Sequence, residues 1–250
     1  MNKLKNCKTP CDYVTICHYF TTSKFLSMLV NKKLFFARGD MFIKDEWDGL
    51  PPDYKDFFYK YEYQRDYFYI SCWTLNNKLS SKLWKEYASE DEGIAIKTKV
   101  RNIKIQLKLK EGDNLVFCKE QYDQEKQKAE NFSTLIDPLL HKKKKFKFEK
   151  EARIILWPRD FVTVPESKMN NSIKKFDNES NEFFLHRILS CRQFMVQNSP
   201  KIGKEVEISN LEEMIESIHF APKAGNWYKK MIRDILEKYD CKKLIDKIID

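Results

Sequence analysis

The segment FKFEKEARIILW, residues 146–157, limits the fold more than any other stretch of the chain. In an extended chain, side chains two apart share a face, so Glu149, Glu151 and Arg153 point one way while Phe148, Ala152, Ile154 and Leu156 point the other. The spacing therefore predicts a strand over 148–156 with an apolar face on a core and a charged face elsewhere. Two carboxylates about 7 Å apart on one face repel unless donors separate them, and Arg153 is placed to hold Glu149. The bland interpretation is an exposed strand with a cross-strand ion pair. The functional one is a carboxylate aimed at a developing cation, as oxocarbenium chemistry at a ribose carbon requires.

The remaining pattern predicts an α+β fold. DYVTICHYF reads as a strand, Thr21, Thr22 and Ser23 offer a helix cap before Phe25, Leu26, Leu29 and Val30, and LFFAR returns as a strand. YFYISCW and GIAIKT are strands, with a short helix at LSSKLWKEYA between them, and IKIQLKL alternates at strand period. Residues 119–140 read as helical and polar, 159–181 as a long mobile loop, and EFFLHRILSCRQFMV fits helix or strand equally. Toward the end, NLEEMIESI predicts a helix, HFAP a short strand, and the stretch from Asn226 one or two helices. The whole, 1–250, is expected to be a single compact domain with a mixed or antiparallel sheet flanked by helices, and 205–250 a C-terminal α/β extension packed on that core.

Partners and compartment follow from charge and cysteine usage. Lys and Arg outnumber Asp and Glu by 46 to 37, a formal charge of +9, which suits a phosphate-rich partner such as RNA or single-stranded DNA. Seven cysteines without framework spacing, and no secretory signal, point to reduced thiols in the cytoplasm. No apolar run approaches the roughly 20 residues that cross a bilayer, so no membrane partner is expected.

His18 and Tyr19 end the first strand beside a helix start, where free backbone N–H groups meet phosphates. Arg38 closes the second strand. Each has an ordinary structural role available, and His18 or Arg38 could instead hold a dinucleotide. The run Lys142, Lys143, Lys144, Lys145 is a solvated turn or a phosphate contact. Cys7, Cys11, Cys17 and His18 lack the paired knuckles of a zinc site, so no metal is assigned. Asp45, Asp48, Glu149 and Glu151 leave room for a metal-dependent nuclease. No P-loop, dinucleotide glycine motif, zincin helix or nucleophile elbow occurs.

Several segments together resemble a bacterial, defence-associated family, the domain-of-unknown-function family twenty-nine seventy-one. They are HYFTTSKFLSMLVNKKLFFAR, FIKDEWDG, SCWTLN, LWKEYA, EGIAIKT, FKFEKEARIIL and IHFAPKAGNWYKKMIRDILEKY, with Glu46 where relatives carry a proline. The strand order is similar, more loosely, to ADP-ribosyltransferases of toxins and phage-defence systems. That resemblance implies NAD as substrate, His18 in the first cofactor slot, Ser71 to Trp73 in the second, and Glu151 as the catalytic residue of a Glu-x-Glu pair with Glu149. Tyr19, Arg38 and Tyr87 complete the expected cofactor contacts, and Lys142 to Lys145 with Arg153 the nucleic-acid contacts. The expectation is a toxin or antiviral enzyme modifying nucleic acid, with a possible cognate antitoxin. The alternative is a non-catalytic basic module that senses nucleic acid or neutralises a toxin.

Overall fold

The computed structural model describes residues 7–42, 68–125, 136–158 and 202–249. Asp45, Asp48, the 159–181 loop and EFFLHRILSCRQFMV lie outside those residues. The first strand, β1 (Thr15–Thr21), runs into α1 (Thr22–Asn31), whose Phe25, Met28 and Leu29 are buried at helical spacing. Lys32, left-handed at φ 50°, ends that helix and turns the chain into β2 (Lys33–Arg38).

The sheet is organised about β3 (Tyr69–Thr74). One edge of β3 pairs throughout with β9 (Glu151–Pro158), from Tyr69 opposite Leu156 to Thr74 opposite Glu151. The other edge is shared: β2 takes Ile70 and Tyr69, while β1 takes only Thr74, opposite Cys17. The sheet therefore divides beside Ser71, Cys72 and Trp73. Beyond β1 come β4 (Gly93–Lys99), β11 (Ser217–Phe220) and β12 (Ile248–Ile249); beyond β2 come β10 (Gly203–Ile208) and β5 (Leu107–Lys108). Outside β9 lies β6 (Asp113–Lys119), and β7 (Gln121–Asp123) and β8 (His141–Lys143) form a separate parallel pair. Helices α2 (Ser81–Tyr87), α3 (Val100–Gln106), α4 (Leu211–Met214), α5 (Asn226–Lys238) and α6 (Lys242–Ile245) complete the described elements. This is a mixed α/β arrangement with a curled sheet, in keeping with the expected α+β class.

Paired residues of an antiparallel ladder share a face, so the register sorts the core. One face carries Ile16, Phe20, Trp73, Phe117, Ile154 and Leu156 under α1, α3 and α5, the largest apolar cluster. The opposite face carries two smaller ones: Phe68, Ile70, Cys118, Ile155 and Trp157, and Cys17, Tyr19, Leu83, Trp84 and Ala95. At Gly93, a Cβ would meet the Trp84 ring at 2.9 Å, so β4 can begin beneath α2 only without a side chain.

The structure corrects several expectations. IKIQLKL is mostly α3, with only Leu107 and Lys108 in a strand; Val100, Ile103 and Leu107 also fit helical spacing, which a short alternation does not exclude. Within 119–140 the described residues form β7 and a 3-10 turn at Asp137–Leu140. Phe146, Phe148 and Glu149 belong to a 3-10 turn, Lys144–Glu149, which Lys150 closes at φ 45°. The strand thus begins at Glu151, three residues later than its pattern suggests. The expected helix over 210–218 is the single turn α4, capped by the Asn210 side chain, before β11. The C-terminal strands are built into the main sheet, β10 between β2 and β5 and β11 against β4, rather than packed on it.

Cys7 and Cys118 are joined by a disulfide, a departure from the expectation of reduced thiols throughout. Cys7 is taken by that disulfide, and burial pushes the Cys17 thiol up to about 12. Among the described residues no group of His, Cys, Asp and Glu is arranged to hold a metal, and no helix is long and apolar enough to cross a membrane.

Candidate functional site

Between the two smaller apolar clusters lies a buried set of charges. Glu151 and Arg153 share the face of Cys72 and Thr74, their register partners on β3. Glu149 reaches the same place from the 3-10 turn, anchored through its carbonyl, which accepts from Thr74 Oγ1 at 2.6 Å. The parallel pairing of β7 with β8 sets Tyr122 beside Lys142. Lys142 Nζ then donates to Glu149 Oε2 at 2.8 Å and to Glu151 Oε2 at 2.6 Å. Tyr87, at the end of α2, donates its hydroxyl to Glu149 Oε1, and the Tyr122 hydroxyl accepts from the Glu151 backbone at 2.7 Å.

Arg153 closes the far side. Its Nε lies 2.8 Å from both Glu151 Oε1 and Glu120 Oε1, an N–H donates to Leu139 O at 2.6 Å, and the guanidinium rests over the Phe42 ring. Neither Arg153 nor Glu120 exposes its side chain. Three carboxylates thus share two cations in a region away from water. Such a set is stable only if each charge keeps its partners, since breaking a buried pair costs about 3–5 kcal/mol.

The environments of the two neighbouring glutamates differ. Burial pushes the Glu151 carboxyl up, but Arg153 and Lys142, helped by the Cys72 thiol, outweigh it and hold Glu151 well below the usual carboxylate range. Burial also raises Glu149, and there Lys142 and Tyr87 only partly offset it, so Glu149 stays above its ordinary value. The thiol of Cys72 and the hydroxyls of Tyr87 and Tyr122 are pushed upward, chiefly by burial and then by the adjacent carboxylates. These three remain proton donors or neutral acceptors.

The expected site residues fall into two groups. Glu149, Glu151, Arg153, Tyr87 and Lys142 converge. His18, Arg38, Ser71 and Trp73 lie on the opposite face of the sheet, where Trp73 belongs to the main core. His18 packs between Phe20 and Trp73 with ring centroids 4.1 and 5.0 Å away, and its Nδ1 lies 2.7 Å from Cys72 O, which β1 leaves without a ladder partner. Burial lowers His18 to about 4, so the ring is neutral near pH 7. Ser71 Oγ accepts from the Trp73 indole at 3.1 Å, and Arg38 makes a two-pronged pair with Asp40 at 2.7 and 2.6 Å. Tyr19 is on the glutamate side but accepts from Ser80 N at 2.9 Å. The backbone of β3 stands between His18 and Glu151, so the expectation of one pocket holding both is not met.

Two further expectations change. Lys142, the first of the four-lysine run, is buried in the ion cluster rather than in a solvated turn; Lys144, Lys145, Lys147 and Lys150 are exposed around it. Arg153 holds Glu151 and Glu120, whereas Lys142 and Tyr87 hold Glu149. Sequence reasoning missed Glu120 and Tyr122, and reached Cys72 only as part of the Ser71–Trp73 cofactor slot. The alternation Cys118, Glu120, Tyr122 was the available signal, but only the β6–β9 register, with Cys118 opposite Arg153, connects it to this place. No family model, no curated protein and no solved structure matches the chain.

Proposed function

We propose that the Tyr87–Glu149–Glu151 cluster is the active site of an ADP-ribosyltransferase-like enzyme that takes NAD as substrate and modifies nucleic acid. The observation that carries this reading is the pair of carboxylates closing on one ammonium at 2.8 and 2.6 Å, with their proton affinities pushed in opposite directions. Environments that separate two adjacent carboxyls assign them different roles. Glu151, held ionised, would stabilise the positive charge that grows on the ribose as its bond to nicotinamide breaks and nicotinamide leaves with the electron pair. Glu149, with the higher affinity, would receive the proton of the attacking nucleic-acid group.

The donor set suits that substrate. A cationic ribosyl centre flanked by phosphates calls for carboxylates within a basic rim, and Lys144, Lys145, Lys147 and Lys150 are exposed on the turn that carries Glu149, with Lys82 over the Phe148 ring at 3.5 Å. In this conformation the Lys142 ammonium takes the place of the substrate's cation, so its withdrawal precedes entry. Glu-side contacts with the dinucleotide fall to Tyr87 and the rim rather than to His18 and Arg38.

A second reading is favoured by the ion pairs within the cluster, in which Lys142 bridges Glu149 and Glu151 and Arg153 bridges Glu151 and Glu120: a structural ion network in a basic, non-catalytic nucleic-acid-binding module. Incubating the protein with labelled NAD and separate pools of RNA, single-stranded DNA and cell protein separates the two. Label entering a nucleic-acid pool with wild type, and none with folded Glu151→Gln, supports the enzyme. Polyanion binding with no NAD consumed supports the module.

A further inference from the structure

The turn that carries Glu149 has three ridges. Side chains three apart eclipse in a 3-10 turn, so over Lys144–Glu149 they fall as Lys144 with Lys147, Lys145 with Phe148, and Phe146 with Glu149. The third ridge leads to the carboxylates. Phe146 is half-buried yet joins none of the three apolar clusters of described residues, whereas Phe148 packs against the one that holds Leu83 and Trp84. Two ammoniums flank the Phe146 ring instead. Lys145 Nζ stands 4.9 Å and Lys142 Nζ 5.4 Å from its centre, and Lys142 is the group that closes Glu149 and Glu151. Exposed lysines elsewhere, such as Lys33, Lys104 and Lys108, each hold a carboxylate. Lys144, Lys145 and Lys147 hold none among the described residues.

We propose that Phe146 is a stacking platform for one unpaired base of a single-stranded nucleic acid whose phosphates lie on Lys144 and Lys147. This rests on the nucleic-acid reading of the site given above and names the form of acceptor that the site takes. A ring outside the core, beside carboxylates and edged by uncompensated cations, suits a ligand that is flat, aromatic and anionic, and every nucleobase offers a π-face. A duplex keeps that face covered. Its bases stack on one another, so only an unpaired base can lie on Phe146. The acceptor rather than the dinucleotide belongs here, because the ridge ends on Glu149, the carboxylate assigned to the proton of the attacking group.

Fluorescence anisotropy on the full chain without NAD tests this, with labelled oligothymidylate of about 12 nucleotides and a duplex of the same length. The single strand should bind about tenfold more tightly than the duplex. Phe146→Leu, folded by circular dichroism, should lose about tenfold for the strand while its salt slope and its duplex binding stay as in wild type. Phe146→Trp should restore the strand. Equal affinity for strand and duplex, or no binding of the strand by wild type, overturns the proposal. So does Phe146→Leu that binds the strand unchanged, even if it needs more NAD to release nicotinamide, since the ring would then hold the dinucleotide. Loss of duplex and strand binding together overturns it as well, because the ring would then only support the turn. The enzyme can fail separately: a protein that releases no nicotinamide but loses the strand with Phe146→Leu keeps the platform.

Discussion

The two faces of the sheet at β3 bury polar groups in opposite ways. On one, His18 enters an aromatic setting with a single hydrogen bond, to Cys72 O, and burial drives it to the neutral form. On the other, Glu151 is buried at least as deeply yet stays charged, because Lys142 and Arg153 repay its desolvation. Burial alone does not decide ionisation; the number of opposite charges that the fold brings along does. A single residue of β3 separates the two outcomes, with its carbonyl used by His18 and its thiol by Glu151.

Removing the countercharge should break this contrast most severely. Arg153→Met leaves Glu120 and Glu151 buried with too little positive charge, and urea unfolding should show a loss of about 3–5 kcal/mol. Lys142→Met should cost less, about 2–4 kcal/mol, because Glu149 already leans toward protonation and can become neutral. If both substitutions prove harmless, the charged face is not organised by its countercharges.

Acid titration sharpens the comparison. The unfolded chain protonates His18 below about 6.5, while the folded state keeps it neutral down to about 4, so His18 lowers stability progressively as pH falls from 6.5 to 4. Glu151 behaves otherwise: its folded affinity lies below its unfolded one, so its contribution is complete above about 4.5 and fades only under that. His18→Asn should flatten that pH dependence, removing on the order of 3 kcal/mol of stability change between pH 6.5 and 4. An unchanged slope would mean that His18 is protonated in the fold.

The smallest expected effect on stability belongs to the rim. Replacing Lys144, Lys145 and Lys147 with Gln should shift unfolding by no more than about 0.5 kcal/mol. The same change should lower the log–log salt slope of nucleic-acid binding by up to about three units, less for single strands. A constant slope would show that the exposed lysines do not meet the backbone.

The sequence made the strands of this contrast legible but not their pairing. Period-two alternation placed Ile154 and Leu156 against Arg153, and β1, β3, β4 and β9 follow their apolar patterns. Glu149 was misjudged because Lys150 adopts a left-handed backbone, which the surrounding charges do not announce. Lys142 looked like the start of a solvated run, since four equal lysines carry no sign of which one turns inward. His18 and Glu151 looked like members of one pocket because alternation fixes faces within a strand, whereas relative faces between strands follow from register.

In the proposed enzyme, Glu149 and Glu151 form the working carboxylate site and Lys142 stands for the cation of the substrate. Nicotinamide release from NAD by Lys142→Ala, measured where circular dichroism shows the variant folded, tests it most directly. Release exceeding that of wild type, and abolished when Glu151→Gln is added, is the predicted result. No release from folded Lys142→Ala or from wild type would contradict the claim and leave the cluster as a structural ion network.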